Sequence, residues 1–463
     1  MKKVNKSIFI LGLGITGMSL AQKLGSRFSR ITCWDDNQLK REEANKKGVI
    51  VLNPLIENLK GIDLVVASPG INHKKKNPHI AIQNTKLHNI KIISDIELIK
   101  ILNIPNKLIG ITGTNGKTTT TKFISDTLNF ENFLDIKACG NIGIPFTELD
   151  IQNNTVLAIE CSSFQLSKVS KLRFHIALLL NISSDHLDWH LNMDNYIEAK
   201  TNIFKNQMPN DYAVVCLDDE YSEKVCVSFK NNFKGELIKI STKKIVKDGI
   251  YIINKKNKLV IFNSFEKQEL YIDKKKINFT ISNANLQNLL ATYVVNYILK
   301  HSNKKFSQAI SLLKTPEHRM EFIGKFKNIN IFNDSKSTNI SSAKSALTDS
   351  VNIFWILGGR AKKGGLNGLE KELDNVLYAF TFGESGKQFS NFFRSKGINC
   401  ICKETLEEII PLLIDKAINH EKNINIIFSP AASSYDQYNN FEERGVDFKN
   451  LIKEEINVRR QTN

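Results

Sequence analysis

Leu108 to Thr120, LIGITGTNGKTTT, is the stretch that most restricts what this chain can become. The apolar, β-favouring run Leu108–Ile111 leads into a glycine-rich turn, Gly113-Thr114-Asn115-Gly116, and Lys117 and Thr118 follow at once. A helix is expected from Thr119 to Leu128. Strand, glycine loop, Lys-Thr and helix, in that order, is the layout of a phosphate-binding loop. The backbone N–H groups of such a turn, with the helix N-terminus behind them, present positive partial charge to an anion. Lys117 adds a full charge for β- and γ-phosphates, and the Thr118 hydroxyl is of the kind that ligates Mg²⁺. The eight-residue form of the pattern is incomplete, since Ile111 stands where its first glycine belongs. The context still points to a nucleotide site at Gly113, Thr114, Asn115, Gly116, Lys117, Thr118 and Thr119.

A chain of 463 residues suggests roughly two to four domains. The formal net charge of +17 raises the question of a nucleic-acid partner. The lysines are scattered, however. The densest runs, Lys74–Lys76 and Lys274–Lys276, are short and lack interleaved Arg or aromatic residues. The excess therefore reads as solvated faces suited to anionic small substrates, with no nucleic acid. Seven dispersed cysteines without a C-x-x-C spacing favour a reducing, cytoplasmic setting. No apolar run approaches the roughly 20 residues that span a membrane. Met1-Lys2-Lys3 before an apolar stretch has the look of a signal peptide, but Gly12, Gly14 and Gly17 suit a turn better.

That turn, Gly12 to Gly17, fits G-x-G-x-x-G between two strands, and the second strand ends at Trp34-Asp35-Asp36 about 20 residues on. Taken alone it is the weak fingerprint of a dinucleotide fold. An NAD enzyme and a ligand-free tight turn are both open at this point. A further strand, Leu64–Ala67, ends in Ser68-Pro69-Gly70, and a short helix starts near Asp95, expected as its cap. The first domain is placed at 1–94.

From 95 to 315 the pattern is again strand and helix. Gly140-Asn141-Ile142-Gly143 follows a presumed strand, and Val156–Glu160 is a buried-strand run ending in a carboxylate. Beside a phosphate loop, a carboxylate so placed suits Mg²⁺. Ser162 and Ser163 follow it. Ile176–Asn181, another strand, leads to Asp185-His186-Leu187-Asp188-Trp189-His190. The i, i+4 histidines invite a zinc reading, but no third ligand and no H-E-x-x-H support it. Lys200 by itself is an unremarkable lysine. Residues 245–280 alternate as a small antiparallel appendage, a helix runs from Asn285 to Leu299, and Thr315-Pro316 marks the boundary with 316–463. The last part repeats the α/β grammar, with polar clusters after apolar strands. These are Glu317-His318-Arg319, Asn333–Asn339, Leu357–Lys363, Ser429–Gln437 and Asn440–Gly445. No repeat of solenoid period stands out.

Together these phrases resemble the Mur ligases, ATP-dependent amide-bond-forming enzymes of peptidoglycan precursor synthesis. The phrases are GITGTNGKTTT, GNIG, ECSSFQL, NISSDHLDWH, HRME, NDSKSTN and SPAASSYDQYNNFEERG, and the resemblance covers nearly the whole chain. It is closest to the branch of the family that adds D-glutamate. It implies three α/β domains: an N-terminal Rossmann-like UDP-binding domain, a central P-loop-type ATPase domain and a C-terminal Rossmann-like ligase domain. It also replaces the NAD reading, because the N-terminal glycine turn of this family holds a UDP-sugar.

By the same resemblance, Ile15, Thr16, Asp35, Asp36, Gly70, Asn141 and Ser162 would surround the UDP-substrate. Asn285, Arg319 and Asp334 would join the loop residues around ATP. Thr118, Glu160, His186 and Lys200 would serve two Mg²⁺ ions, with Lys200 carbamylated. Lys117, His186 and Lys200 would be the catalytic side chains. Lys336, Thr338, Lys362, Ser434, Tyr435 and Phe441 would hold D-glutamate. The implied reaction joins D-glutamate to UDP-N-acetylmuramoyl-L-alanine through an acyl phosphate and a tetrahedral intermediate, in a cytoplasmic monomer. Two departures stand out. Ser282-Asn283-Ala284-Asn285 lacks a histidine usual in the family before Asn285, and Arg360 stands where some members have a carboxylate. The alternatives are a folylpolyglutamate-type ligase, a Mur ligase for another amino acid, and a nucleic-acid-stimulated ATPase.

Overall fold

Runs of β-branched residues between glycine-rich turns build three sheets, and these position every loop singled out above. The computed structural model describes residues 3–229, 233–348, 350–361 and 365–461. By packing, the chain divides into two units. One is Met1–Lys276 with Leu286–Leu312, and the other is Ile277–Asn285 with Leu313–Asn463.

The first unit holds two sheets. β1 (Val4–Leu11), β2 (Phe28–Trp34), β3 (Ile50–Val51), β4 (Leu64–Ala67) and β5 (Lys91–Ile93) pair in parallel in the order β3-β2-β1-β4-β5. The larger sheet comprises β6 (Leu108–Thr112), β7 (Ile136–Gly140), β8 (Val156–Glu160), β9 (Ile176–Leu179), β10 (Tyr212–Cys216), β11 (Glu236–Ser241), β12 (Gly249–Asn254), β13 (Lys258–Asn263) and β14 (Gln268–Asp273). Its order is β14-β13-β12-β11-β10-β9-β6-β8-β7. β6, β8 and β9 are buried throughout, as parallel strands covered on both faces must be. The expected antiparallel appendage is present, but it extends this sheet. β12 pairs in parallel with β11, and only β12-β13-β14 run antiparallel.

One apolar cluster runs from β1 and β4 through Ile96, Leu98 and Ile99 to Leu157, Phe174 and Leu179. Glu97, 1% exposed, accepts from the backbone N–H groups of Ser170, Lys171 and Leu172 at 2.7–3.2 Å. Its charge is thus satisfied where the chain passes from the first sheet toward the second. The expected cap at Asp95 is corrected here. The helix Glu97–Ile101 has Ile96 at its N-cap and no side-chain cap bond. The Asp95 carboxylate is buried and accepts instead from Gln165 Nε2 at 3.0 and 3.1 Å.

The second unit carries β15 (Glu321–Phe326), β16 (Ile329–Asn333), β17 (Ile353–Gly358), β18 (Val376–Phe382), β19 (Cys400–Cys402) and β20 (Ile424–Phe428), in the order β15-β16-β20-β17-β18-β19. Only the edge strand β15 is antiparallel. Period-two alternation splits β17 between two cores. Phe354 and Ile356 pack with the helix Leu406–Ile418, while Ile353, Trp355 and Leu357 pack with Phe389 and Phe393.

In β6, just before the phosphate loop, Gly110 leaves room for the Phe174 ring. A Cβ there would lie 2.6–2.9 Å from three ring atoms. Gly110→Ala is expected to destabilise the first unit by about 1–3 kcal/mol through overpacking. Denaturant unfolding of the variant against the wild type checks this, and equal stability would contradict the packing argument.

Candidate active site

The phosphate loop folds as its composition dictates. The helix behind it, Lys117–Asn129, starts two residues earlier than expected and is capped by Gly116 at φ 83°. Only glycine takes that conformation without strain, and a Cβ there would also lie 2.4 Å from Asn288 Oδ1. The turn is braced from the side. Asn115 N–H donates to Asn181 Oδ1 at 2.8 Å, and Thr114 Oγ1 accepts from Ser183 N–H at 3.0 Å.

Two lysine nitrogens meet one backbone oxygen of this loop. Lys117 Nζ donates to the carbonyls of Gly113 and Thr114, both at 2.8 Å, and Lys200 Nζ donates to the Gly113 carbonyl at 2.7 Å. Lys200 sits near the end of the helix Met193–Thr201, 1% exposed, with Nζ 4.6 Å from the Tyr196 ring centre. Burial, and next the charge of Lys117, pull its amine well below the ordinary lysine range, with Asp185 opposing them. A lysine unremarkable in sequence is therefore a buried amine biased toward its neutral form.

Glu160 ends β8, in register with Ile111 of β6 and Gly140 of β7. The carboxylate is 2% exposed. Oε1 accepts from Asn141 Nδ2 at 2.9 Å, and Oε2 is buried without a hydrogen-bond partner. An orphaned carboxylate oxygen next to a phosphate loop fits a missing cation. With the Thr118 hydroxyl it supplies the hard oxygen donors that Mg²⁺ takes. Asn141, expected at the UDP-substrate, is engaged with Glu160. Ser162 caps the short helix Ser163–Leu166 in a reciprocal box with Gln165.

His186 occupies a left-handed conformation, φ 54°, at the head of the helix Leu187–His190. Its Nε2 lies 3.4 Å from Asp185 Oδ2, and its ring packs on Phe164. His190 is buried, shares a hydrogen bond of 3.0 Å with Ser163 Oγ and is pushed down to about 4 by burial and by His186 and Lys200. The histidine pair thus divides into one half-exposed ring and one buried ring. Among the described residues no group of three or more His, Cys, Asp or Glu side chains is arranged to hold a metal ion.

At the first sheet, Gly14 precedes the helix Ile15–Lys23, leaving Ile15 exposed. Asp35 is already used. Its carboxylate accepts from Leu13 N–H at 2.7 Å and Asn37 N–H at 2.9 Å, so it shapes the glycine turn itself. Asp36 is exposed and bonds the His79 ring at 3.0 Å. Thr16 lies beside Ser68 and Asp95, and Gly70 is exposed in the loop after β4.

In the second unit, Asp334 follows β16. It is buried, accepting from Ser429 Oγ at 2.8 Å and Met320 N–H at 3.1 Å. Burial pushes its carboxyl up to about 7, against those bonds and the Arg319 charge. His318 and Met320, on either side of Arg319, both have positive φ, as does Ala431 in the loop after β20. Such backbone collects at functional sites. Lys336 Nζ lies 4.2 Å from the Phe441 ring centre, Thr338 is half-buried, Ser434 is buried and Tyr435 is exposed. Lys362 lies outside the described residues. Asn285 Nδ2 donates to the Thr280 carbonyl at 2.8 Å, and Arg360 pairs with Glu384 at 2.9 Å.

Sequence reasoning passed over Arg444, which the structure makes central to this edge. It is fully buried in the helix Phe441–Gln461. Its guanidinium donates to Ser335 O at 2.7 Å, Ala432 O at 3.1 Å and Gly358 O at 3.4 Å, and its Nε to Ser335 Oγ at 3.1 Å. One side chain therefore fastens the loops after β16, β17 and β20, which carry Lys336, Thr338, Ser434 and Tyr435. Its only sign in sequence is the phrase NNFEERG, where nothing marks the arginine as buried.

The model of the Mur ligase middle domain matches residues 111–332. The UDP-N-acetylmuramoylalanine–D-glutamate ligase of Rickettsia prowazekii is 35% identical over 454 residues, covering 97% of this chain and 98% of its own. The enzyme of the same name from Wolbachia pipientis is 32% identical, covering 98% and 97%. Among solved structures, the UDP-N-acetylmuramate-alanine ligase of Thermotoga maritima superposes with a TM-score of 0.59 at 16% identity, over 97% of this chain and all of that one. The MurF ligase of the same organism, in complex with ADP, gives 0.57 at 18% identity, over 90% and 92%.

Arg444→Met would leave the Ser335, Gly358 and Ala432 carbonyls without their donor. At about 1–3 kcal/mol for each unsatisfied group, a loss of at least about 3 kcal/mol is expected. Amide exchange should accelerate together in the loops after β16, β17 and β20. Acceleration confined to the helix Phe441–Gln461 would contradict the stapling role.

Proposed function

The chain belongs to the Mur ligase family, and we propose that it joins D-glutamate to UDP-N-acetylmuramoyl-L-alanine at the expense of ATP, in peptidoglycan precursor synthesis. The observation that carries this reading is the meeting of Lys117 and Lys200 on the Gly113 carbonyl, in a chain collinear with D-glutamate ligases. Domain limits near residues 94 and 315 divide it into a UDP-sugar-binding part, an ATP-binding part and an amino-acid-binding part. No helix among the described residues is long and apolar enough to cross a membrane. We take the enzyme to be a cytoplasmic monomer.

A carboxylate is a poor acyl donor, so its phosphorylation by ATP comes first. Lys117, now bonded to its own loop, would turn its ammonium to the β- and γ-phosphates, while the amides of residues 113–118 cradle them. Thr118 and Glu160 would hold one Mg²⁺, and His186 and Lys200 would serve a second. The ions would offset the mutual repulsion of the crowded oxygens. For Lys200 this requires a carbamate. Its neutral amine attacks CO₂, an N–C bond forms, and the proton leaves to solvent, turning a buried cation into an anion beside Lys117. The amine of D-glutamate, having given a proton to a base, attacks the acyl carbon to form the C–N bond of a tetrahedral intermediate. From it the C–O bond to phosphate breaks, phosphate leaves and a second proton passes from the nitrogen to solvent. Lys336, Thr338, Lys362, Ser434, Tyr435 and Phe441 are our candidates for holding that amino acid, and Asn285, Arg319 and Asp334 for the nucleotide. Ile15, Thr16, Asp35, Asp36, Gly70, Asn141 and Ser162 remain the candidates for the UDP-substrate. Of these, Asp35 would act through the glycine turn it shapes and Asn141 through Glu160.

ADP should appear only when ATP, UDP-N-acetylmuramoyl-L-alanine and D-glutamate are all present. L-glutamate, L-alanine and diaminopimelate should each fail to replace D-glutamate in a phosphate-release assay. Turnover driven by DNA or RNA instead would overturn the reading. Lys200→Ala should be inactive and unresponsive to bicarbonate. Partial recovery with chloride or acetate supports the carbamate, and full activity of the variant removes it.

A further inference from the structure

Three nitrogen groups of the first unit lie together, and two of them, the Lys168 ammonium and the Trp189 indole N–H, can only donate. Lys168, 5% exposed, has its Nζ buried without a hydrogen-bond partner, 5.7 Å from the centre of the Trp189 ring. Trp189, 7% exposed, has its Nε1 in the same condition, and an indole N–H can only donate. The His73 ring meets Trp189 edge-on at 5.8 Å, and its Nδ1 is likewise buried and unpartnered. Asp95 attracts Lys168 at longer range, but its oxygens are engaged by Gln165. A buried ammonium and a buried indole N–H are each costly to leave unpaired. Side by side, they outline the place of a missing acceptor, and the ammonium calls for a negative one.

The position of the cluster narrows the source. Asn72 Nδ2 donates to the Trp189 carbonyl at 2.9 Å, tying the loop after Gly70 to the segment of His186. Lys168 follows the helix that Ser162 caps. Gly70 and Ser162 belong to the proposed path of the UDP-linked substrate, and His186 to the proposed Mg²⁺ set. The turn that carries Trp189 is held between two non-glycine residues of positive φ, His186 at 54° and Leu191 at 75°. Backbone of that kind persists only where the surrounding structure holds it.

We infer that Lys168, with the Trp189 indole N–H and the His73 ring, receives an oxyanion of the UDP-linked substrate. The oxygen comes from its diphosphate or from its carboxylate. The inference rests on the substrate reading above, and its test separates the two. In ¹⁵N-labelled protein the indole resonance lost in Trp189→Phe identifies Trp189. Addition of UDP-N-acetylmuramoyl-L-alanine should shift that resonance. Inorganic pyrophosphate should reproduce the shift if the diphosphate is held, and N-acetyl-L-alanine if the carboxylate is. By calorimetry Lys168→Met should weaken substrate binding about tenfold or more, the worth of one charged hydrogen bond, with MgATP binding unchanged and Lys168→Arg restoring most of the loss. No shift with any of the three probes overturns the site and leaves an internal water as its occupant. A shift with pyrophosphate, from a protein that does not bind the UDP-substrate, keeps the oxyanion site and overturns the substrate assignment.

Discussion

Two lysine nitrogens on the Gly113 carbonyl oxygen are the interaction on which the nucleotide-binding unit depends. Burial and the nearby Lys117 charge bias the Lys200 amine toward its neutral form. The amides of the phosphate loop, with Lys117, present positive charge to an anion. The orphaned oxygen of Glu160 is the counterpart, a buried anion awaiting a cation. An anion for the loop and a cation for Glu160 are what phosphates with Mg²⁺ supply.

The second unit solves a different problem with the same means. Loops at the carboxyl edge of a parallel sheet are the natural place for a binding site, but each is anchored only to its own strand. Arg444 supplies the cross-links. Its planar fork reaches three carbonyls that no aliphatic residue could tie together, and its burial makes each bond matter more. Asp334 adds a second tie by accepting from Ser429 and Met320. Positive φ at His318, Met320 and Ala431 is held in place by this bracing.

A glycine turn of the G-x-G-x-x-G kind is open to more than one ligand. G-x-G-x-x-G secures a tight strand-to-helix turn with free amides, and that much is common to dinucleotide and sugar-nucleotide sites. Asp35 contributes by fixing the turn through Leu13 and Asn37. The carboxylate that would mark a ribose site in an NAD enzyme is here part of the loop's own framework.

From the chain alone, the phosphate loop, the carboxylate closing β8, the glycine turn and the α/β alternation could all be read. Each depends on neighbours in sequence: period-two burial, glycine where φ is positive, Lys-Thr at a helix start. Motif phrases, taken together, were enough to indicate the family and to nominate candidates around each substrate. Invisible at that level were the burial of Lys200, the engagement of Asn141 with Glu160, the capture of Asp95 by Gln165 and the staple at Arg444. Each of these joins residues far apart in sequence, from 19 positions for Asn141 and Glu160 to 109 for Ser335 and Arg444. Whether a lysine is a solvated charge or a buried amine depends on the dielectric around it and on which other cation shares its carbonyl. Packing decides that, and no local pattern records it.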